Sequence, residues 1–476
     1  MSMRRLLACV LLAVPPVSAW AFDPADAWPR YRQQQSLLPL IYERAGEEAF
    51  DGGIRRRFSL NSQRWPSRPG EGGEWMHRVE VLVPHQYQPG PALLVINNGV
   101  LNGGGPRPPA PADDMAPEML EALARQLGMV VVSVADVPEQ ALQLPGDDQL
   151  RVEDDLVALS WRRFLDDPAG HALWPLQVPM AEAAIRAMDL AQWELTPAQA
   201  PSFIVAGASK RGWAAWMLPL VDDRVSHLMP FVIDMHWEAL APHIQRSYGG
   251  RWPIALFPYW QHGVTGAFAS AEFAALMQVI DPYRYLEGPL HSRLEIPKYL
   301  VSASGDDFFP PDASRFYLSR LPGETSVRVA PNADHGGIRR FMASSMLPAL
   351  TRWRRGQDLA RVHAQWWSDA LTPEVHVHSS ERPVKAVLWT ARNDVDRDFR
   401  YACGIRYEAK DVALPELEGL VVALPPAETG WVSAFVELHY ADGFVATSAA
   451  HVYPQNRYPK HPPAQGEGRC KLVAGP

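Results

Sequence analysis

At 476 residues the chain is too long for one ordinary core, so a large domain with a smaller companion is expected. Apolar residues at 47%, including 17 Trp and 16 Phe, supply the material of a core, and 21% charged residues exclude a disordered chain. A formal charge of -8, without clusters of Lys and Arg, excludes nucleic acid as the natural partner.

The chain opens with Arg4 and Arg5, an apolar run from Leu6 onward, and a small-x-small close at Ala19-Trp20-Ala21. This reads as a secretory leader over residues 1–21, which makes the mature chain periplasmic or secreted. Losing Arg4 and Arg5 with it takes the charge from -8 to -10. A membrane anchor is the bland alternative, but the run is short of the roughly 20 residues a span needs. Cys9 lies too early for a lipoprotein signal, and no later segment is apolar enough for stable membrane insertion. Cys403 and Cys470 then remain; in an oxidising compartment they read as one disulfide, against the alternative of two buried thiols.

Residues 76–83 and 92–97 are apolar, β-branched runs expected as strands. A helix at 117–127, with Pro117 at its start, leads to a buried strand at 129–135. Residues 149–165 and 178–193 have helical spacing. A short buried strand at 202–206 then runs into Gly207 and a helix from Lys210. Strands near 229–233, 299–303 and 326–330, with helices at 312–321 and 336–355, complete the alternation. It predicts an α/β domain over 22–357, a parallel sheet with helices on both faces. The aromatic stretch at about 234–293 interrupts the rhythm and reads as a helical cap inserted over the site. From 358 to 476 short alternating runs, one of them at 399–405, predict an all-β sandwich.

The strongest chemical signal is Gly207-Ala208-Ser209-Lys210-Arg211-Gly212 between a strand and a helix. A sharp turn there lifts the Ser209 hydroxyl out of the sheet, beside amides able to hold an oxyanion. The plain alternative is a serine N-cap. The pattern also departs from Gly-x-Ser-x-Gly, because Arg211 stands where the second glycine belongs. Two later loops, each at the carboxyl end of an expected strand, carry Asp306-Asp307 and His335 in the order Ser, acid, His. Adjacent side chains point apart, so one carboxylate alone faces the His335 loop. Asp306 is expected there, with Asp307 the alternative acid and otherwise a turn residue accepting backbone amides. The oxyanion hole is expected from the amides of Lys210 and Asn98, the latter in a Gly-rich loop that could equally be plain surface. Arg211, His236, Trp237 and Trp260 are candidates to contact substrate. Lys210 and Arg211 either reach the pocket and attract an anion or sit solvated at a helix start. His376 and His378 alternate on an expected strand without ligand-spaced partners, so no metal and no cofactor is expected.

Longer stretches carry a resemblance. They include Val152-Glu153-Asp154-Asp155, Ser160-Trp161-Arg162-Arg163-Phe164, Asp281-Pro282-Tyr283-Arg284-Tyr285, Phe308-Phe309-Pro310-Pro311-Asp312 and Pro331-Asn332-Ala333-Asp334-His335. With the serine motif they make nearly the whole mature chain resemble the PhoPQ-activated pathogenicity-related protein family. The resemblance implies an α/β-hydrolase of the Gram-negative envelope, linked with resistance to host antimicrobial peptides. Two departures bear on the site: Asp306-Asp307 replaces an expected Asp-Glu, and Asn97-Asn98 replaces a common Gly-Gly. The expected function is an exported serine hydrolase acting on a small-molecule or peptide ester or amide. The serine spacing is also similar to that of glucuronoyl esterases, which gives a uronate esterase as one alternative; a non-catalytic binding protein on the same scaffold is the other.

Overall fold

A computed structural model describes residues 23–66, 72–101, 108–196, 199–368, 373–414, 419–464 and 466–473. The expected leader at 1–21 and the glycines at 103–105 lie outside them. Helix α1 (Pro24–Ser36) is followed by two strands absent from the expected series, β1 (Ile41–Phe50) and β2 (Gly53–Trp65). Strand β1 is exposed along most of its length, so it lacks the apolar alternation that marks a half-buried strand. Charge pairs across the hairpin hold it instead: Glu48 takes Arg55 and Arg57, and Glu47 takes Arg56.

The series continues with β3 (Gly73–Pro84), β4 (Ala92–Ile96), α2 (Pro117–Leu127), β5 (Val131–Val134), α3 (Glu153–Asp166), α4 (Gln177–Glu194), β6 (Phe203–Ala208), α5 (Lys210–Met217) and β7 (Val225–Phe231). An insertion holding α6 (Trp237–Ser247), α7 (Phe257–Gln261) and α8 (Ala271–Ile280) precedes β8 (Lys298–Ala303), β9 (Thr325–Ala330) and α9 (Arg339–Arg354). The nine strands form one sheet in the order β1-β2-β3-β5-β4-β6-β7-β8-β9. It is parallel from β5 to β9, while β1, β2 and β3 run antiparallel, so the sheet is mixed rather than wholly parallel. The helix expected at 312–321 is two short 3-10 turns, Ala313–Phe316 and Leu318–Arg320.

Both sheet faces are buried. Phe203 and Val205 of β6 join a core with α3, α4, α5 and the insertion, and Ile204, Ala206 and Ala208 join a second core with α2 and α9. That doubly covered state explains why β4, β5 and β6 read as unbroken apolar runs.

The C-terminal region forms an all-β domain from β10 (Val362–Trp367), β11 (Glu374–Ser379), β12 (Lys385–Asn393), β13 (Glu408–Val412), β14 (Leu420–Ala423), β15 (Trp431–His439), β16 (Val445–Thr447) and β17 (His451–Tyr453). One sheet is β10-β11-β14; the other is β13-β12-β15-β16, with β17 also on β15. The strand expected at 399–405 is a 3-10 turn at Tyr401–Cys403, where Cys403 bonds Cys470. Val375 and Val377 of β11, Leu388 of β12 and Val436 of β15 share one apolar cluster with Val301 of β8 and Ala330 of β9. The β domain is therefore packed onto the α/β domain rather than tethered to it. No helix among the described residues is long and apolar enough to cross a membrane.

Candidate active site

Ser209 sits between β6 and α5 with φ 57 and ψ -127, a conformation that costs a side-chain-bearing residue about 1–3 kcal/mol. Close backbone packing enforces it. A Cβ at Gly207 would lie 2.6 Å from Arg211 O, and one at Gly212 2.9 Å from Gly207 O. The second glycine of the turn is thus needed at 212, one place later than the common pattern, and position 211 is free for arginine. Lys210 occupies the first position of α5, so its amide has no intrahelical acceptor and lies at the positive end of the helix.

His335 follows β9 and Asp306 follows β8. The His335 Nδ1–H donates to Asp306 Oδ2 at 2.8 Å and Oδ1 at 3.0 Å. Nε2 is buried and has no partner among the described residues. Burial lowers the imidazole pKa, but the charge and hydrogen bond of Asp306 more than offset it, and the net value lies above the usual one. Asp306 Oδ1 also accepts from the amides of Phe308 (2.7 Å) and Phe309 (3.3 Å). The turn expected to be capped by Asp307 is therefore capped by Asp306 itself. Asp307 makes no bond to His335: its Oδ1 is buried without a partner among the described residues, and its Oδ2 lies 3.5 Å from Arg469. Burial, then the charges of Asp306 and Asp334, push its pKa up to about 6.

The β domain holds both loops. A Cβ at Gly305 would lie 2.6 Å from the amide of Tyr401, which donates to Gly305 O. In the other loop, Asn332 Oδ1 accepts from the Tyr407 amide at 2.8 Å and its Nδ2 donates to Tyr407 O at 2.9 Å. Sequence spacing carries no sign of this support, since each contact joins residues more than 70 positions apart.

Ser209 and His335 line one cavity of about 200 Å³ with Asn98, Asp114, Glu153, Asp154, Lys210, Arg211, Phe308 and Arg339 among its walls. Two more wall residues, Glu153 and Val232, have positive φ of 51 and 45, so strain concentrates here. Lys210 and Arg211 are neither solvated nor free. Lys210 Nζ lies 2.8 Å from Glu153 and 3.2 Å from Asp154, while Arg211 pairs with Glu153 (3.0 Å) and Asp114 (3.1 Å). Arg339, half exposed at the mouth, is 2.5 Å from Asp114. The sequence reading had no place for Asp114, Glu153, Asp154 and Arg339; the one available signal was the acidic run at the start of α3.

Of the remaining candidates, Asn98 is in the cavity wall and the three aromatic ones are not. The Asn98 amide is spent on Asn97 Oδ1 at 3.1 Å, and Asn98 Oδ1 caps the amides of Asp113 and Asp114. His236 stacks on Tyr283 at 3.7 Å between ring centroids. Trp237 is buried against Trp213 and Phe309, and Trp260 lies against Phe257. None of the three lines the cavity, nor does any other residue of 234–293. The insertion packs beside α3 and α5, and its aromatics share their core; it reaches the wall through Tyr259, whose hydroxyl lies 3.3 Å from Asp154. His376 pairs with Glu374 at 2.8 Å. Among the described residues the one group of three metal-ligand side chains close together is Asp398, Cys403 and Cys470, and its cysteines are bridged.

Residues 29–400 match the family described as PhoPQ-activated pathogenicity-related protein. Autocrine proliferation repressor protein A of Dictyostelium discoideum is 27% identical over 418 residues, covering 83% of this chain and 81% of that protein. Among solved structures, an acetyl xylan esterase from Paenibacillus sp. R4 is similar at TM-score 0.46 and 14% identity, over 71% of this chain and 95% of that one. A glucuronoyl esterase from Solibacter usitatus is similar at TM-score 0.38 and 15% identity, over 62% and 82%.

Proposed function

The chain belongs to the PhoPQ-activated pathogenicity-related protein family, and for this member we propose a serine hydrolase that cleaves an ester or amide through Ser209, His335 and Asp306. One observation carries the reading: Asp306 fastens His335 Nδ1, the other ring nitrogen has no partner among the described residues, and His335 lines the same cavity as Ser209, which stands on a strained turn. Ser209 Oγ attacks the carbonyl carbon and passes its proton to His335 Nε2. Asp306 keeps the imidazole in the required tautomer and stabilises the imidazolium. The developing oxyanion accepts from the Lys210 amide at the positive end of α5. The bond to the leaving group then breaks, that group takes the proton from His335, and water discharges the acyl-enzyme by the same route. For Asn98 to serve as a second oxyanion donor, its amide must exchange Asn97 Oδ1 for the substrate oxygen. A cavity of about 200 Å³ suits a small acyl group, with the leaving group outside.

Export belongs to the same proposal. The leader pattern at 1–21 supports it, and so does the Cys403–Cys470 bridge, a bond that persists in oxidising compartments. The test is labelling of the mature protein by a fluorophosphonate, which is expected at Ser209 and expected to vanish in a folded Ser209→Ala variant. Folded wild type that takes no label would turn the reading to a binding protein on a hydrolase scaffold.

A further inference from the structure

Asp234 lies just beyond β7, 8% exposed, and the chemistry above makes no use of it. Its Oδ1 accepts a hydrogen bond from the Tyr317 hydroxyl at 2.7 Å. Between it and the acid loop is a void of about 10 Å³ lined by Val232, Asp234, Ser302, Asp306, Phe309 and Ser314. That is room for about one water, with polar groups on several sides to hold it. Two neighbouring strands, β7 and β8, thus each end in a buried carboxyl group facing the same small space.

The partners of these groups differ. Asp306 Oδ1 takes two amides as well as His335, whereas Oδ2 accepts from His335 alone among the described residues and keeps acceptor capacity. The nearby Asp312 is paired with Arg397 at 2.6 Å and with His243 at 3.0 Å. Asp234 has no cation among the described residues. Where three carboxyl groups crowd together, one held by a histidine and two amides and one by a buried arginine, the third, with a single neutral hydroxyl donor, is the one that keeps its proton.

We infer that Asp234 is a positioning residue for Asp306: its carboxyl O–H donates, through one water in the void, to Asp306 Oδ2 and locks that carboxylate toward His335. The inference rests on the reading of His335 as base and Asp306 as its orienter. Burial raises the Asp234 pKa, the Tyr317 hydrogen bond opposes the rise, and the charges of Asp306 and Asp312 add to it, so the group is pushed up to about 7. Above that pH the donor becomes a second carboxylate, and its charge adds to that of Asp306 in holding a proton on His335. The groups that bear on Asp234 are Tyr317 and Asp312 from the turns after Pro310, Asp306 from the acid loop, and His335 beyond it. Asp312 is in turn paired by Arg315, by His243 of α6 and by Arg397 of the β domain.

Two readouts separate this inference from the hydrolase reading. The low-field proton resonance of His335 Nδ1–H reports the imidazole without turnover, and the second-order rate of fluorophosphonate labelling reports Ser209. Wild type is expected to show, besides the His335 transition, an inflection near pH 7 in both. Asp234→Asn, neutral at every pH, is expected to lose that inflection while labelling within about tenfold of wild type below pH 7. Tyr317→Phe removes the donor that opposes the shift and is expected to move the inflection to higher pH. Superimposable His335 titrations of wild type and Asp234→Asn would overturn the inference, as would an inflection that Tyr317→Phe leaves in place. An inflection that Asp234→Asn removes from the proton resonance, in a protein that takes no label at Ser209, would uphold the coupling and overturn the hydrolase reading.

Discussion

Two of the described histidine–aspartate pairs, His335–Asp306 and His243–Asp312, have opposite fates. In His335–Asp306 one ring nitrogen is fastened and the other, buried, has no partner among the described residues, and the imidazole pKa is raised. In His243–Asp312 both ring nitrogens are spent, Nε2 on Asp312 at 3.0 Å and Nδ1 on the Tyr458 hydroxyl at 2.9 Å. Asp312 is also shared with Arg397, which is fully buried, and here burial outweighs the carboxylate and lowers the imidazole pKa. The first pair is poised to accept a proton. The second clamps α6 to the β domain. What separates a catalytic-type pair from a structural one is the second nitrogen and the exclusivity of the carboxylate, rather than the pair itself.

The comparison breaks most sharply at Asp306. Asp306→Asn keeps an oxygen for the Phe308 and Phe309 amides but unsettles the imidazole tautomer. It is expected to lower kcat/KM about 10³- to 10⁴-fold at a nearly unchanged melting temperature, measured on whichever activated ester the wild type cleaves. On the structural pair, Arg397→Met leaves Asp312 buried with one charge partner fewer. A loss of about 3–5 kcal/mol in denaturant unfolding is expected, with labelling of the remaining folded protein preserved.

Opposite pKa shifts give opposite pH responses. On the proposed chemistry His335 must be neutral to accept a proton, so its raised pKa is expected to place the acid limb of a kcat/KM–pH profile above the ordinary histidine value of about 6.5. His243 is lowered, so below about pH 6.5 the unfolded chain binds a proton that the folded one refuses, and stability falls as pH drops through that window. His77 and His227, both held down to about 4 by burial, add slopes of the same sign. His243→Gln is expected to flatten the acid limb of stability by at most about 1.4 kcal/mol per pH unit, leaving the activity limb in place.

The smallest effect is expected at Asp307. Its folded pKa lies above the unfolded value, so the protein loses stability as pH rises from about 4 to 6. Asp307→Asn is expected to melt higher than wild type at pH 8, by about 1 kcal/mol or less, and to keep activity within a few-fold. A large loss of activity at Asp307→Asn, with Asp306→Asn nearly normal, would transfer the orienting role.

The order Ser209, Asp306, His335 was legible because each residue follows an apolar run of strand length, and such runs are local in sequence. Buried parallel strands such as β6 announce themselves through continuous hydrophobicity, and the turn at 207–212 through its glycines. Strand β1 was not legible, since salt bridges across a hairpin leave no apolar period. Nor was the turn at Tyr401–Cys403, where the disulfide and the packing on Gly305 outweigh β propensity. Aromatic content at 234–293 signalled burial without saying against what, and the sheet face beside α3 claimed Trp237 that a cap would have turned to substrate. The fates of Lys210, Arg211 and Asn98 were set by Glu153, Asp154, Asp114 and Asn97. A charge or amide chooses its partner by distance, and only the folded chain brings Glu153 within 2.8 Å of Lys210, 57 positions away.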